Sequence, residues 1–270
     1  MDINKINIIS GLIRQLVFAK KLVNKYINKK ARKNKVHIFH IGRCGSTVLS
    51  KILNQHSKVL SVGEIFEKYK DNKCNQKFIR KTISHRENSK ISRVFFFETK
   101  YLKFQHLNDE CLNFKLKQYI EFLLQNGYDK QIIIHRSNYL RWLCSAKIGE
   151  KENLWHTTKK NEISKITIEV NNIVDKLSLL ELFEYLDKRH SELLNELDNH
   201  DYLLLNYEKD IKDDPVKAYL KVCDFCNISP QKPEVHLKKT NPWALSDMII
   251  NYEQVENSLS GTPYEWMLYD

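Results

Sequence analysis

Residues 37–56 read HIFHIGRCGSTVLSKILNQH, and the order of residue types within them decides the fold. A β-rich run, 36–41, passes into a loop of small residues, Gly42-Arg43-Cys44-Gly45-Ser46-Thr47. Val48, Leu49, Ile52 and Leu53 then follow at helical spacing. Strand, tight loop and helix in succession aim backbone N–H groups and a helix N-terminus at one spot, which is an anion site by construction. The glycines let the backbone approach the anion, Arg43 adds a bidentate-capable charge, and Ser46 and Thr47 add hydroxyl donors. A nucleotide triphosphatase needs G-x-x-x-x-G-K-[ST] at this point. Here Ser46 follows Gly45 directly, with no Lys between, and no acidic strand end suited to holding magnesium is evident. The loop is therefore expected to bind its anion without a metal.

Moving outward, 94–97 (VFFF), 131–135 (QIIIH) and 202–206 (YLLLN) are further strand candidates. The QIIIH run is nearly continuous in apolar residues, as a strand buried on both faces should be. Helical patterns follow it through Leu140, Leu143 and Cys144, and follow YLLLN over about 215–226. Strands alternating with helices predict an α/β, P-loop-type three-layer fold with a central, mainly parallel sheet flanked by helices. The polar stretches 68–92 and 148–172 are expected to be surface insertions or lids.

The chain is expected to divide into an N-terminal extension, 1–35, and one domain, 36–270. Apolar residues in the extension recur at helical spacing but are interrupted by Arg14, Lys20, Lys21 and Lys25, short of a membrane span. It reads either as a leading helix packed on the domain or as a basic amphipathic helix on an anionic membrane. No secretory signal is visible. The chain carries 44 Lys plus Arg against 33 Asp plus Glu, a net charge of +11, which suits a polyanionic partner: nucleic acid, an acidic membrane or a multiply phosphorylated cofactor. A Lys/Asn/Ile bias spread along the surface accounts for the same surplus. The six cysteines fit a reducing cytoplasm, and Cys223-x-x-Cys226, inside a helical pattern, reads as core rather than metal-binding.

A second motif follows the QIIIH strand: Arg136 at a strand-helix junction and Ser145 about two turns along, placed for one phosphate to lie between them. Together the two motifs resemble the sulfotransferase family that uses 3′-phosphoadenosine 5′-phosphosulfate, particularly its bacterial and carbohydrate-directed branches. That resemblance implies that the first loop, Arg43, Cys44, Gly45, Ser46 and Thr47, binds the 5′-phosphosulfate. It implies that Arg136 and Ser145 bind the 3′-phosphate, with no metal. Cytosolic members usually carry Lys in the first loop; many carbohydrate-directed members carry Arg, as here. Gly63-Glu64-Ile65-Phe66, the segment from Leu203 through Asp210 to Asp214-Pro215, and the stretch from Lys238 through Thr262 also resemble family segments.

The resemblance points to a carbohydrate, glycolipid or small-molecule acceptor. Glu64 is the candidate base, assisted by Arg43 at the leaving group. His85, His106 and His135 stand in reserve as bases. Lys100 is a candidate contact to sulfate or acceptor. Trp155 and His156 are candidate acceptor contacts, since an indole face stacks on a sugar ring. Two other classes compete: a P-loop kinase or other nucleotide-binding enzyme, and a non-catalytic module that recognises polyanions. Nucleic acid is not expected as a partner, because no reader motif accompanies the charge. The cytoplasm is the expected location, with peripheral membrane contact confined to residues 1–35.

Overall fold

Apolar residues at successive strand positions need cover on both sides, because neighbouring side chains point to opposite faces. The computed structural model describes residues 34–69, 74–87, 94–108, 111–152, 163–237 and 242–269. Strands β1 (Asn34–His40), β2 (Val59–Ser61), β3 (Val94–Lys100), β4 (Lys130–His135) and β5 (Asp201–Asn206) form one sheet. Their order is β2-β3-β1-β4-β5, and every pairing is parallel. The helices are α1 (Ser46–Leu53), α2 (Gln76–Glu87), α3 (Leu116–Gln125), α4 (Tyr139–Glu152), α5 (Leu179–Leu197), α6 (Pro215–Phe225), α7 (Leu245–Met248) and α8 (Tyr252–Leu259).

The alternation sorts the strand residues into two cores. Phe39, Phe95, Phe97 and Ile133 pack with residues of α3, α4 and α5. Val36, Ile38, Phe96, Ile132 and Ile134 pack with Leu49 and Ile52 of α1 and with Tyr219 and Val222 of α6. The result is the P-loop-type three-layer α/β fold, a parallel sheet between two helical layers. Local signals agree with it. Asp214 caps α6, its side chain accepting from the Val216 N–H, and Pro215 opens the helix. Ser178 and Glu181 form a capping box at the start of α5.

The strand order also locates the site. From β1 the chain moves to β2 and returns through β3 on one side of β1, then crosses to β4 on the other. Ligands of open parallel sheets bind at such a switch point, beyond the C-terminal ends of the strands. The loop 41–45 lies there.

Several expectations need correction. The stretch 68–92 is no mere insertion: it contains α2, which buries Ile79 and Ile83 on the way from β2 to β3. Strand β2 escaped prediction because it has only three residues. Of the stretch 148–172, the first part is the end of α4, and Ile166 makes a parallel bridge to Ile249. Residues 1–33, with most of the expected extension, lie outside the described residues, and β1 begins at Asn34. All six cysteines are free and buried. Among the described residues no helix is long and apolar enough to cross a membrane.

Candidate active site

The loop after β1 turns through three left-handed residues, Gly42 (φ 78°), Arg43 (φ 50°) and Gly45 (φ 83°). Such a backbone is open to glycine and strained for Arg43. At Gly45 the requirement is doubled, since a Cβ there would lie 2.5 Å from Ile211 Cγ2 and 3.3 Å from the Tyr207 ring. Gly45 also occupies the N-cap of α1, where it offers no side-chain acceptor to the first-turn N–H groups. Ser46 is buried at the helix start, and Thr47 is half-buried. The Cys44 side chain is turned away from any ligand. It is fully buried in the core beside α1 and α6, and burial pushes its thiol up to about 12. What Cys44 can present to a ligand is backbone.

The two motifs meet. Arg43 Nε donates to Ser145 Oγ at 2.9 Å, and Arg136 Nη1 donates to the Arg43 carbonyl at 2.6 Å. The Arg136 guanidinium, 7% exposed, lies 4.6 Å over the Tyr207 ring. Its Nε is buried and makes no hydrogen bond to the described residues. Burial, and then the neighbouring Arg136 charge, lower the Arg43 pKa. Two adjoining guanidiniums with a buried, unmatched donor make a seat for an anion. One feature had no forewarning in the sequence. Glu208 accepts from the Ser137 and Asn138 N–H groups at 3.0 and 3.2 Å, so the protein's own carboxylate fills the N-terminus of α4. The helix end is therefore taken, and Arg136 and Ser145 are what this motif presents to a ligand.

A second cluster lines the same cleft. Lys100 Nζ pairs with Glu64 Oε2 at 2.7 Å and with Glu67 Oε2 at 2.9 Å. His106 Nε2 meets the same Glu67 oxygen at 2.9 Å. The fully buried His40 Nε2 faces Glu98 Oε2 at 3.4 Å and Glu64 Oε1 at 3.8 Å. Burial raises the Glu64 pKa, against the pull of Lys100. The hydrogen bond from His106, and Lys100 after it, hold Glu67 well below the usual carboxylate range despite partial burial. For Lys100, burial works downward but is outweighed by Glu64 and Glu67, so its pKa rises. Burial and then the Glu64 charge push Glu98 up to about 7, while the hydroxyls of Ser46 and Ser50 work against them.

The sets His40–Glu64–Glu98 and Glu64–Glu67–His106 are each close enough to share a cation. Both imidazoles are, however, held as the wrong tautomer. His40 Nδ1 accepts from the Gly42 N–H at 2.9 Å, and His106 Nδ1 accepts from the Lys100 N–H at 3.1 Å. Each neutral ring therefore carries its proton on Nε2, the atom that faces the carboxylates, and acts there as a donor and not as a ligand. Glu98, on β3 and against Ser46, does correct the expectation that no acidic strand end is present.

Both clusters line one cleft of about 1340 Å³. Its lining includes Arg43, Ser46, Arg136 and Ser145 together with Glu64, Glu67, Glu98 and Lys100. Lys100 stands inside the site as the ion-pair partner of Glu64. Of the reserve histidines, His106 belongs to the cluster, His85 is exposed on α2, and His135 stacks on His190 at 3.8 Å, off the cleft lining. Trp155 and His156 lie outside the described residues. The sequence reading missed His40, Glu67, Glu98 and Glu208. A charged residue within an otherwise apolar strand was the available signal for Glu98, because β3 runs on through Lys100.

No protein-family model and no curated protein sequence matches this chain. Among solved structures, the chain superposes on the sulfotransferase from Alicyclobacillus acidocaldarius with a TM-score of 0.52 and 11% identity, over 87% of this chain and 94% of that one. A deoxyadenosine kinase from M. mycoides with bound dATP gives a TM-score of 0.36 and 17% identity, over 70% of this chain and 98% of that one. The first likeness is one of fold; the second superposition is too loose to argue from.

Proposed function

We propose that the protein is a sulfotransferase that moves a sulfuryl group from 3′-phosphoadenosine 5′-phosphosulfate to a hydroxyl on a carbohydrate, glycolipid or small molecule. One observation carries the reading: Arg43, Arg136 and Ser145 form one network beside the start of α1, and they line a single cleft together with Glu64 and Lys100. The residues present suit such a donor. The buried Arg136 Nε, which makes no hydrogen bond among the described residues, calls for an anion.

In this reading Arg43 and the backbone of residues 44–47 hold the 5′-phosphosulfate, and Arg136 with Ser145 holds the 3′-phosphate. The bound donor supplies an activated sulfuryl group with phosphate as its leaving group. Negative charge grows on that phosphate as the bond to sulfur breaks, and Arg43 with the α1 N–H groups is placed to stabilise it. Glu64, raised by burial yet kept near an ammonium, takes the proton from the acceptor hydroxyl as the new oxygen–sulfur bond forms. We place the reaction in the cytoplasm, in keeping with the free cysteines, and residues 1–35 are where contact with an anionic membrane would be sought.

A second reading, metal-assisted phosphoryl transfer, is favoured by one observation, the placing of Glu98 against Ser46 at the end of β3. Against it, Ser46 stands where the phosphate-gripping Lys of that class belongs. Calorimetric titration with 3′-phosphoadenosine 5′-phosphate, and in parallel with ATP and magnesium, separates the two. The bisphosphate is expected to bind at micromolar level without metal, and Arg136→Ala to weaken it about a hundredfold, as for a charged hydrogen bond removed. Metal-dependent ATP binding with no response to the bisphosphate would establish the second reading instead.

A further inference from the structure

His40 is fully buried at the end of β1, outside the cleft lining, and each of its ring nitrogens faces a different part of the site. Nδ1 accepts the Gly42 N–H at 2.9 Å, which turns the first peptide of the anion loop inward, away from any ligand. Nε2 must then carry the proton, and it lies 3.4 Å from Glu98 Oε2 and 3.8 Å from Glu64 Oε1. It makes no full hydrogen bond to the described residues, and Glu98 Oε1 makes none either. A buried donor held between two carboxylates favours their ionised forms.

Groups from several elements face His40 and these carboxylates, and the Ser46 and Ser50 hydroxyls of α1 also act on Glu98. From β3 come Glu98 and Lys100; from the segment after β2, Glu64 and Glu67; from the segment after β3, His106; and from β1 itself, His37. Lys100 and His106 serve the outer Glu64 and Glu67 oxygens. His37 bonds Thr99 Oγ1 at 3.0 Å. Burial above all, then Lys100, His106 and His37, keep the His40 pKa well below its ordinary value, so the ring stays neutral and its tautomer fixed.

We infer that His40 is a positioning residue that couples the two halves of the site: it sets the peptide of the anion loop through Nδ1 and holds Glu64 and Glu98 toward ionisation through Nε2–H. The inference rests on the proposed transferase reading for its meaning, but not for its test. His40→Asn keeps an acceptor near the Nδ1 position and removes the inward donor. His40→Gln keeps a donor near the Nε2 position and removes the loop acceptor.

The experiment follows two readouts at once, bisphosphate binding by calorimetry and the titration of Glu64 and Glu98 by carbon-13 NMR of their carboxyls. In His40→Asn the carboxyl midpoints are expected to move upward, with affinity for 3′-phosphoadenosine 5′-phosphate within about threefold of wild type. In His40→Gln the midpoints are expected to stay, with affinity about tenfold weaker, as for one lost hydrogen bond. Midpoints unmoved in His40→Asn, or the two variants altering both readouts alike, overturns the inference. Should either variant fail to fold, nitrogen-15 NMR of the wild-type ring decides: a proton on Nε2 supports the coupling and one on Nδ1 overturns it. If the wild type binds no bisphosphate, the transferase reading fails, while the carboxyl midpoints still test the His40 link.

Discussion

Glu64 and Glu98 show how environment separates two residues of one type. Glu64, half-buried, is tethered to Lys100; Glu98, 2% exposed, has no Lys or Arg in contact with it among the described residues. Replacing the Glu64 carboxylate by an amide removes the proton acceptor but leaves the anion loop intact. Glu64→Gln is therefore expected to bind 3′-phosphoadenosine 5′-phosphate like wild type and to slow transfer by about a hundredfold or more. Equal transfer rates in a sulfation assay would remove Glu64 from the mechanism. For Glu98 the consequence is one of stability. Its carboxyl titrates near 7 when folded against an ordinary value of 4.5, so between these pH values the folded chain holds the extra proton. The stability from this group is complete below 4.5 and is lost as pH climbs through 7. Urea denaturation should show Glu98→Gln losing less stability than wild type between pH 5 and pH 8, by on the order of 3 kcal/mol.

At the scale of elements, the anion loop is held by packing as well as by hydrogen bonds. The π-helical turn Tyr207–Ile211, which follows β5, closes directly on Gly45. Gly45→Ala combines a left-handed φ with a methyl driven into Ile211, and is expected to lower stability by about 2 kcal/mol or more. It should also abolish bisphosphate binding, and thermal melting with and without ligand checks both effects. The strands β1, β3 and β4 were legible because burial on both faces writes them as apolar runs such as VFFF and QIIIH, and the partly exposed edge strand β5 was legible from its YLLLN run. Strand β2 was not, since three residues carry no periodicity. Helix α5, in a stretch the sequence reading left unassigned, carried usable signals in its Ser178–Glu181 capping box and in Leu179, Leu182, Phe183 and Leu186. In the site, Arg43, Arg136 and Ser145 were legible because each sits at a strand-helix junction or one helix away. His40 and Glu98 looked like strand residues, and their roles depend on the register that sets β1 beside β3, with Ile38 opposite Glu98 and His40 opposite Lys100.

For the whole molecule, the charge surplus of +11 is not mirrored by the cleft, where Arg43, Arg136, Arg141, Lys147 and Lys212 share the lining with Glu64, Glu67, Glu98, Glu150, Glu208 and Asp213. Binding of a multiply charged ligand there should respond to salt. Affinity for 3′-phosphoadenosine 5′-phosphate is expected to fall by about three- to tenfold between 50 and 300 mM sodium chloride. A salt-independent affinity would mean that the basic lining does not meet the ligand's phosphates. The site is also assembled from the length of the chain. A loop near residue 45 receives Arg136 and Ser145 from one crossover and Tyr207 and Ile211 from another, and Asn138 is tied to the Met267 carbonyl at 3.0 Å. During synthesis the loop leaves the ribosome long before the parts that seat it. A nascent chain stopped ahead of β5 would carry every residue of the G-R-C-G-S-T turn and still lack the wall that gives it shape, so donor binding belongs to a late stage of folding.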